Sequence, residues 1–158
     1  MGEVAKVQAN IELLKKLRNE TSASIADCRV ALEETDNNYE KAKQWLQKRG
    51  LEKAEKKGDR EVSQGLVGSY VHQTGKVAAL VEILCETDFV ARTDEFQTLA
   101  KEVAMQVASM NPKDVEELLK QDYIRDGSMT IEKLIKQTIG KLGENIVVKK
   151  ISRIAIGE

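Results

Sequence analysis

Cys85, His72 and Asp88 are the residue types a small thiol hydrolase needs: a nucleophile, a base and a carboxylate to orient the base. Nothing nearby completes that chemistry. No nucleophile elbow or glycine-rich oxyanion loop accompanies Cys85. Cys85 also shares strand parity with Val81 and Ile83, the pattern of a small core residue. The chain holds no phosphate-cradling P-loop, no dinucleotide-binding glycine turn, no H-E-x-x-H pair and no EF-hand loop. Gly140-Lys141-Leu142-Gly143 reads as a helix end rather than a phosphate cradle. With a single histidine, a mixed metal site would need His72, Cys28 and Cys85 to converge from distant positions. No catalytic residue, metal or cofactor is therefore expected.

The unusual stretch is Glu86-Thr87-Asp88-Phe89-Val90-Ala91-Arg92. A strand ends here, and Thr87 or Asp88 can cap a short helical turn that opens with Phe89 and Val90. Two readings stand side by side. In one, Phe89 and Val90 tuck beneath the following helix, as aromatics at strand-to-helix corners commonly do. In the other, Phe89 stands at the rim of the sheet as an apolar wedge beside an acidic side chain.

The surrounding pattern predicts an α+β fold in which three short helices precede a small antiparallel sheet packed with helices. Asn10 can cap the first helix, whose apolar stripe is Ile11, Leu14 and Leu17 with Leu13 beside it. Ser24 and Asp27 have the form of a capping box for a second helix, with Ile25, Cys28, Ala31 and Leu32 on one face. Tyr39, Ala42, Trp45 and Leu46 form a third stripe, stopped near Gly50. Residues 48–60 are dense in interleaved charge and read as a solvated helix end running into a linker. The expected division is 1–54 for the helical module, 55–64 for the charged linker and 65–158 for the α+β core.

In the core, residues 66–73 and 76–85 alternate as strands flanking Thr74-Gly75, a turn whose glycine can supply positive φ. Leu80 and Leu84 lie opposite Val77, Ala79, Val81, Ile83 and Cys85, so the second strand is expected to be central and covered on parts of both faces. Phe96, Leu99, Ala100, Val103 and Val107 recur at helical spacing from Asp94-Glu95, with Pro112 after the stop. Residues 115–120 suggest a brief helix and residues 122–127 a turn. Thr130 can cap a further helix ending at Gly143. A last strand covers 146–156, with Ile146, Val148, Ile154 and Ile156 in phase and Ile151 out of it. A bulge or a two-sided strand would each explain Ile151.

Composition narrows the function classes. The 158 residues carry 25 Lys+Arg against 26 Asp+Glu, a formal charge of −1 that removes the electrostatic case for direct nucleic-acid binding. Aromatics at 4% provide no stacking platform, while 41% apolar residues suffice for a core. Apolar runs are too short to cross a bilayer, so no membrane association is expected. Gly2-Glu3-Val4-Ala5 lacks a cleavable leader pattern, and two scattered cysteines fit a reducing compartment, here taken as the cytoplasm.

Three stretches then carry a family resemblance. Cys85 through Arg92, followed by Phe96, resembles the signature of translation elongation factor Ts. Leu17-Arg18, Thr21 and Asp27 through Leu32 resemble that family's second signature, in order and spacing, and Ile139 through Ile146 resembles its closing helix-to-strand pattern. The family usually has Gly after the threonine matched by Thr21, where this chain has Ser22, and bulkier Met residues where Ile25 and Ala26 stand. The resemblance implies a guanine-nucleotide exchange factor for the GTPase elongation factor Tu, built from a ubiquitin-associated-like helical module and a core. It implies that Asp88 and Phe89 intrude near the GTPase's Mg²⁺ and switch elements, with Thr87 and Val90 shaping the turn. It assigns Leu17, Arg18, Asp27, Cys28 and Ala31 a mixture of module packing and partner contact. Many relatives carry a coiled-coil insertion or a second core subdomain before the closing helix, and residues 113–128 leave no room for either. Pairing of a second copy along an unpaired sheet edge would make a homodimer. The competing reading is a ubiquitin-associated-like binding module on an unrelated scaffold, supported by the three helices alone.

Overall fold

The computed structural model describes residues 7–158, so Gly2, Glu3, Val4 and Ala5 lie outside the described residues. The chain forms two compact units, one up to Glu52 and one from Lys53. In the first, α1 (Ile11–Thr21) starts where Asn10 Oδ1 accepts from the N–H groups of Glu12 and Leu13, two of the orphan donors of the opening turn. Helix α2 (Ile25–Glu34) is capped by Ser24, whose hydroxyl accepts from Asp27 N–H at 3.1 Å and donates to the Asp27 carboxylate at 2.8 Å. Helix α3 spans Tyr39–Glu55, continuing past Gly50, where a stop was expected; one glycine costs a helix only about 1 kcal/mol, and helical residues follow it on both sides. Leu17, Cys28, Ala31, Leu32, Ala42 and Leu46 form the unit's core. Ile11 and Ile25, expected on the buried stripes, are exposed instead, because each sits in a first turn that the three-helix core does not reach.

The residue closing α1 occupies a position that suits glycine. Ser22 lies in the left-handed region, φ 55° and ψ 15°, with its N–H donating to Arg18 O. An L residue pays about 1–2 kcal/mol there and glycine does not, so a glycine after the threonine is the relaxed choice.

The second unit is a three-stranded antiparallel sheet in the order β1-β2-β5, made of β1 (Gln64–Val71), β2 (Val77–Cys85) and β5 (Ile146–Ala155). The turn between β1 and β2 has Gly75 at φ 68°. One face of the sheet packs on α5 (Asp94–Met110), with α4 (Asp88–Ala91), α6 (Val115–Lys120) and α7 (Ile131–Leu142) completing the core. At Gly68 a Cβ would stand 2.7 Å from the Ala100 carbonyl oxygen, so α5 lies on β1 only because that position has no side chain. Residues 122–127, expected as a turn, are a two-stranded hairpin of β3 (Asp122–Tyr123) and β4 (Asp126–Thr130). The fully buried Gln106 secures it, donating to Asp122 O at 3.0 Å and accepting from Ile124 N–H at 3.0 Å.

Ile151 is explained by a bulge. Ile83 pairs with Val148 and Glu82 with Lys150, which leaves Lys149 as the extra residue on β5. Parity inverts there. Ile151 therefore joins Ile146 and Val148 on the core side, while Ile154 and Ile156, expected in phase with them, face outward at 74% and 75% exposure.

Candidate functional site

The corner after β2 is built by two threonine caps. Thr87, in extended conformation at φ −126°, accepts from Val90 N–H at 3.4 Å and opens the single turn of α4. Thr93 accepts from Phe96 N–H at 3.3 Å and opens α5. A continuous helix would place residues seven apart on one face. The second cap breaks the helix between Phe89 and Phe96, and the two aromatics part. Phe96 is fully buried, whereas Phe89 is 77% exposed. Of the two readings of this corner, the exposed wedge is the one observed for Phe89. Val90 packs against the core, and Ala91 is buried within it.

Asp88 is half-buried and pairs with Arg92 at 3.0 Å, one helical turn on. Thr87 is exposed, yet its N–H and hydroxyl both donate to Glu144 Oε1, at 3.1 and 2.6 Å. Thr87, Asp88, Phe89 and Val90 are thus brought together on one short, anchored turn. Glu144 was not singled out from sequence as a site residue; its only signal was membership of the closing 139–146 motif, because its partner lies 57 residues away.

Cys85 is fully buried at the end of β2, its thiol donating to Thr87 O at 3.1 Å. Burial, and after it the Glu144 carboxylate, push that thiol up from its ordinary value, the opposite of what a nucleophile needs. His72 donates its N–H to Val77 O at the far end of the same strand, and β2 separates the two groups by roughly 25 Å at the usual strand rise. Cys85, His72 and Asp88 form no catalytic constellation. Among the described residues no cluster of His, Cys, Asp or Glu is arranged to hold a metal ion.

The second set of sequence-predicted residues lies in the first unit and splits in two. Leu17, Cys28 and Ala31 are fully buried in that unit's own core. Arg18 is exposed and Asp27 half-buried. Burial also pushes the Cys28 thiol up.

Comparison with known proteins gives matches that span both regions. A family profile described as "Elongation factor Ts, mitochondrial, N-terminal" matches residues 2–58, and one described as "Elongation factor TS" matches residues 86–158. The chain is 41% identical to elongation factor Ts of Coprothermobacter proteolyticus over 197 residues, covering 96% of this chain and the whole of that relative. This chain belongs to the elongation factor Ts family. The same protein of Nitratidesulfovibrio vulgaris is 38% identical over 191 residues, covering 92% of this chain and 96% of the relative. That of a Nostoc species is 45% identical over 149 residues, covering 94% of this chain, which spans about half of that relative's length at 47%. Elongation factor Ts is the guanine-nucleotide exchange factor for elongation factor Tu in translation elongation, and it acts as an exchange factor rather than a catalytic enzyme. The Coprothermobacter match runs over more residues than the 158 of this chain, so that relative carries internal residues absent here. An unrelated scaffold behind a ubiquitin-associated-like module is not compatible with matches in both units.

Proposed function

We propose that the chain promotes GDP release from elongation factor Tu by inserting the α4 turn into the GTPase, where Phe89 and Asp88 disturb the Mg²⁺ and switch region. The observation that carries this reading is a large aromatic left 77% exposed on a turn otherwise anchored to the core. Exposed phenylalanine is stabilised by burial, and burial against the partner becomes available only when the switch elements have moved to admit the ring. Mg²⁺ demands near-octahedral geometry, so a small displacement of its protein-ordered surroundings weakens the nucleotide without any covalent step. Linkage makes the effect reciprocal: the factor binds nucleotide-loaded partner more weakly by the factor by which it weakens the nucleotide. Thr87 and Val90 shape and seat the turn.

Within the same proposal, residues 1–54 dock on the GTPase's nucleotide domain, residues 55–64 connect, and residues 65–158 deliver the turn. Arg18 and Asp27 supply contact, while Leu17, Cys28 and Ala31 maintain the module by packing. The partner and the chemistry imply a cytoplasmic site of action; no helix among the described residues is long and apolar enough to cross a membrane. A homodimer belongs to the proposal as well. Among the described residues β1 and β5 are the outer strands of the sheet, available to pair with a second copy, and Val67, Val71, Leu80 and Ile154 stand exposed on the sheet face opposite α5. Sedimentation at micromolar concentration tests it, with a dimer mass expected and a monomer mass throughout overturning it. The exchange proposal is tested by stopped-flow release of a fluorescent GDP analogue from elongation factor Tu, comparing this chain with Phe89→Ala.

A further inference from the structure

Beyond their last pair, Cys85 with Ile146, strands β2 and β5 leave two corners side by side: 86–88 going out to α4, and 143–145 coming in from α7. Two carboxylates cross between these corners in opposite directions. Glu86 Oε2 accepts from Asn145 N–H at 2.8 Å, and Glu144 Oε1 accepts from Thr87 N–H and from the Thr87 hydroxyl. The incoming corner is itself held. Lys57 Nζ donates to Gly143 O at 2.8 Å, Asn145 Nδ2 donates to Gly58 O and Arg60 O, and Arg60 pairs with Glu86 at 3.7 Å.

The consequence for α4 follows from the chemistry of a hydroxyl, which has one hydrogen to give and lone pairs to receive. Glu144 takes the hydrogen of Thr87, which turns the lone pairs toward Val90 N–H and makes the cap. Helix α4 has four residues, too few to persist on its own bonds. The Asp88–Arg92 pair is largely solvated and contributes little. What fixes the direction of the turn is the capped Thr87 above and Val90 with Ala91 beneath.

We propose that Glu144 is a positioning residue for nucleotide exchange, acting through Thr87 to hold the α4 turn in the orientation that presents Phe89. The proposal rests on the reading of Phe89 as the inserted group. Glu144 acts through its two hydrogen bonds to Thr87: it limits the directions in which the ring points before binding, so less freedom is lost when the ring enters.

The test is a double-mutant cycle on the full chain, read as the maximal rate of fluorescent GDP release from elongation factor Tu, with a thermal melt of each variant. Phe89→Ala is expected to lower the rate roughly 10- to 100-fold, the range of a truncated aromatic anchor. Glu144→Ala is expected to lower it about ten-fold, the value of a charge-assisted hydrogen bond to a cap. In the Phe89→Ala background, Glu144→Ala is expected to cost nothing further, because the group it positions is gone. Equal losses in both backgrounds would overturn the proposal by marking a role unrelated to Phe89. A normal rate for Glu144→Ala beside a slow Phe89→Ala would overturn it while leaving the insertion reading standing. A normal rate for Phe89→Ala would remove both. Should Glu144→Ala not fold, Glu144→Gln enters the same cycle under the same criteria; it keeps one acceptor for Thr87 N–H, and its expected loss is about three-fold.

Discussion

The chain has two phenylalanines, seven residues apart, and they have opposite fates. Phe96 is fully enclosed between α5 and the sheet, while Phe89 stands in solvent one short turn earlier. Hydrophobicity alone predicts burial for both. The difference is made by Thr93, which starts a new helix and so resets the helical phase between them. Burial makes Phe96 a determinant of stability. Exposure leaves Phe89 with no folding role to perform, and that separation is what makes its function testable by mutation.

The contrast is broken most severely at Phe96. Phe96→Ala is expected to destabilise the second unit by about 3–5 kcal/mol, the usual result of emptying an aromatic core site. Urea unfolding monitored by circular dichroism measures it, and a loss below 1 kcal/mol would show that this core collapses to fill the space. Gly68→Ala attacks the same packing from the other side. Its methyl meets the Ala100 carbonyl, and overpacking of this kind costs about 1–3 kcal/mol; a melt unchanged from the parent would mean α5 rides over β1 with room to spare.

Smaller effects sharpen the account. Both thiols are buried and raised from their ordinary values, so at pH 8 the folded protein should resist iodoacetamide while the urea-unfolded chain reacts at both cysteines. Cys85→Ala should retain full exchange activity and lose about 1 kcal/mol of stability. A Cys85→Ala variant that folds but is inactive would reopen a chemical role for the thiol. Ser22→Gly should stabilise the first unit by about 0.5 kcal/mol, since the left-handed strain it relieves slightly exceeds the chain entropy it adds. A destabilised variant would show that the serine side chain contributes more than its backbone strain costs.

How far sequence reached depended on the range of the interaction. Caps are local, so Asn10, Ser24 and Thr130 were legible from residue type and spacing, as was the central place of β2, while the cap of α4 was narrowed to Thr87 or Asp88 and is Thr87. The bulge at Lys149 was not, because Ile151 out of phase fits either a bulge or a strand covered on both sides, and only the partner strand decides. Helix α3 outran Gly50 because a glycine is a weak stop. At the site, the motif located the turn, but whether Phe89 pointed in or out rested on where Thr93 restarts the helix. The bond from Thr87 to Glu144 crosses 57 residues, beyond any local pattern.

The most direct test of the account is the release of fluorescent GDP from elongation factor Tu driven by this chain and by Phe89→Ala, with thermal melts run in parallel. The expected result is a melt within the error of the parent and a release rate lower by roughly 10- to 100-fold, as for loss of a buried anchor at an interface. A parental release rate from an equally stable Phe89→Ala variant would contradict it.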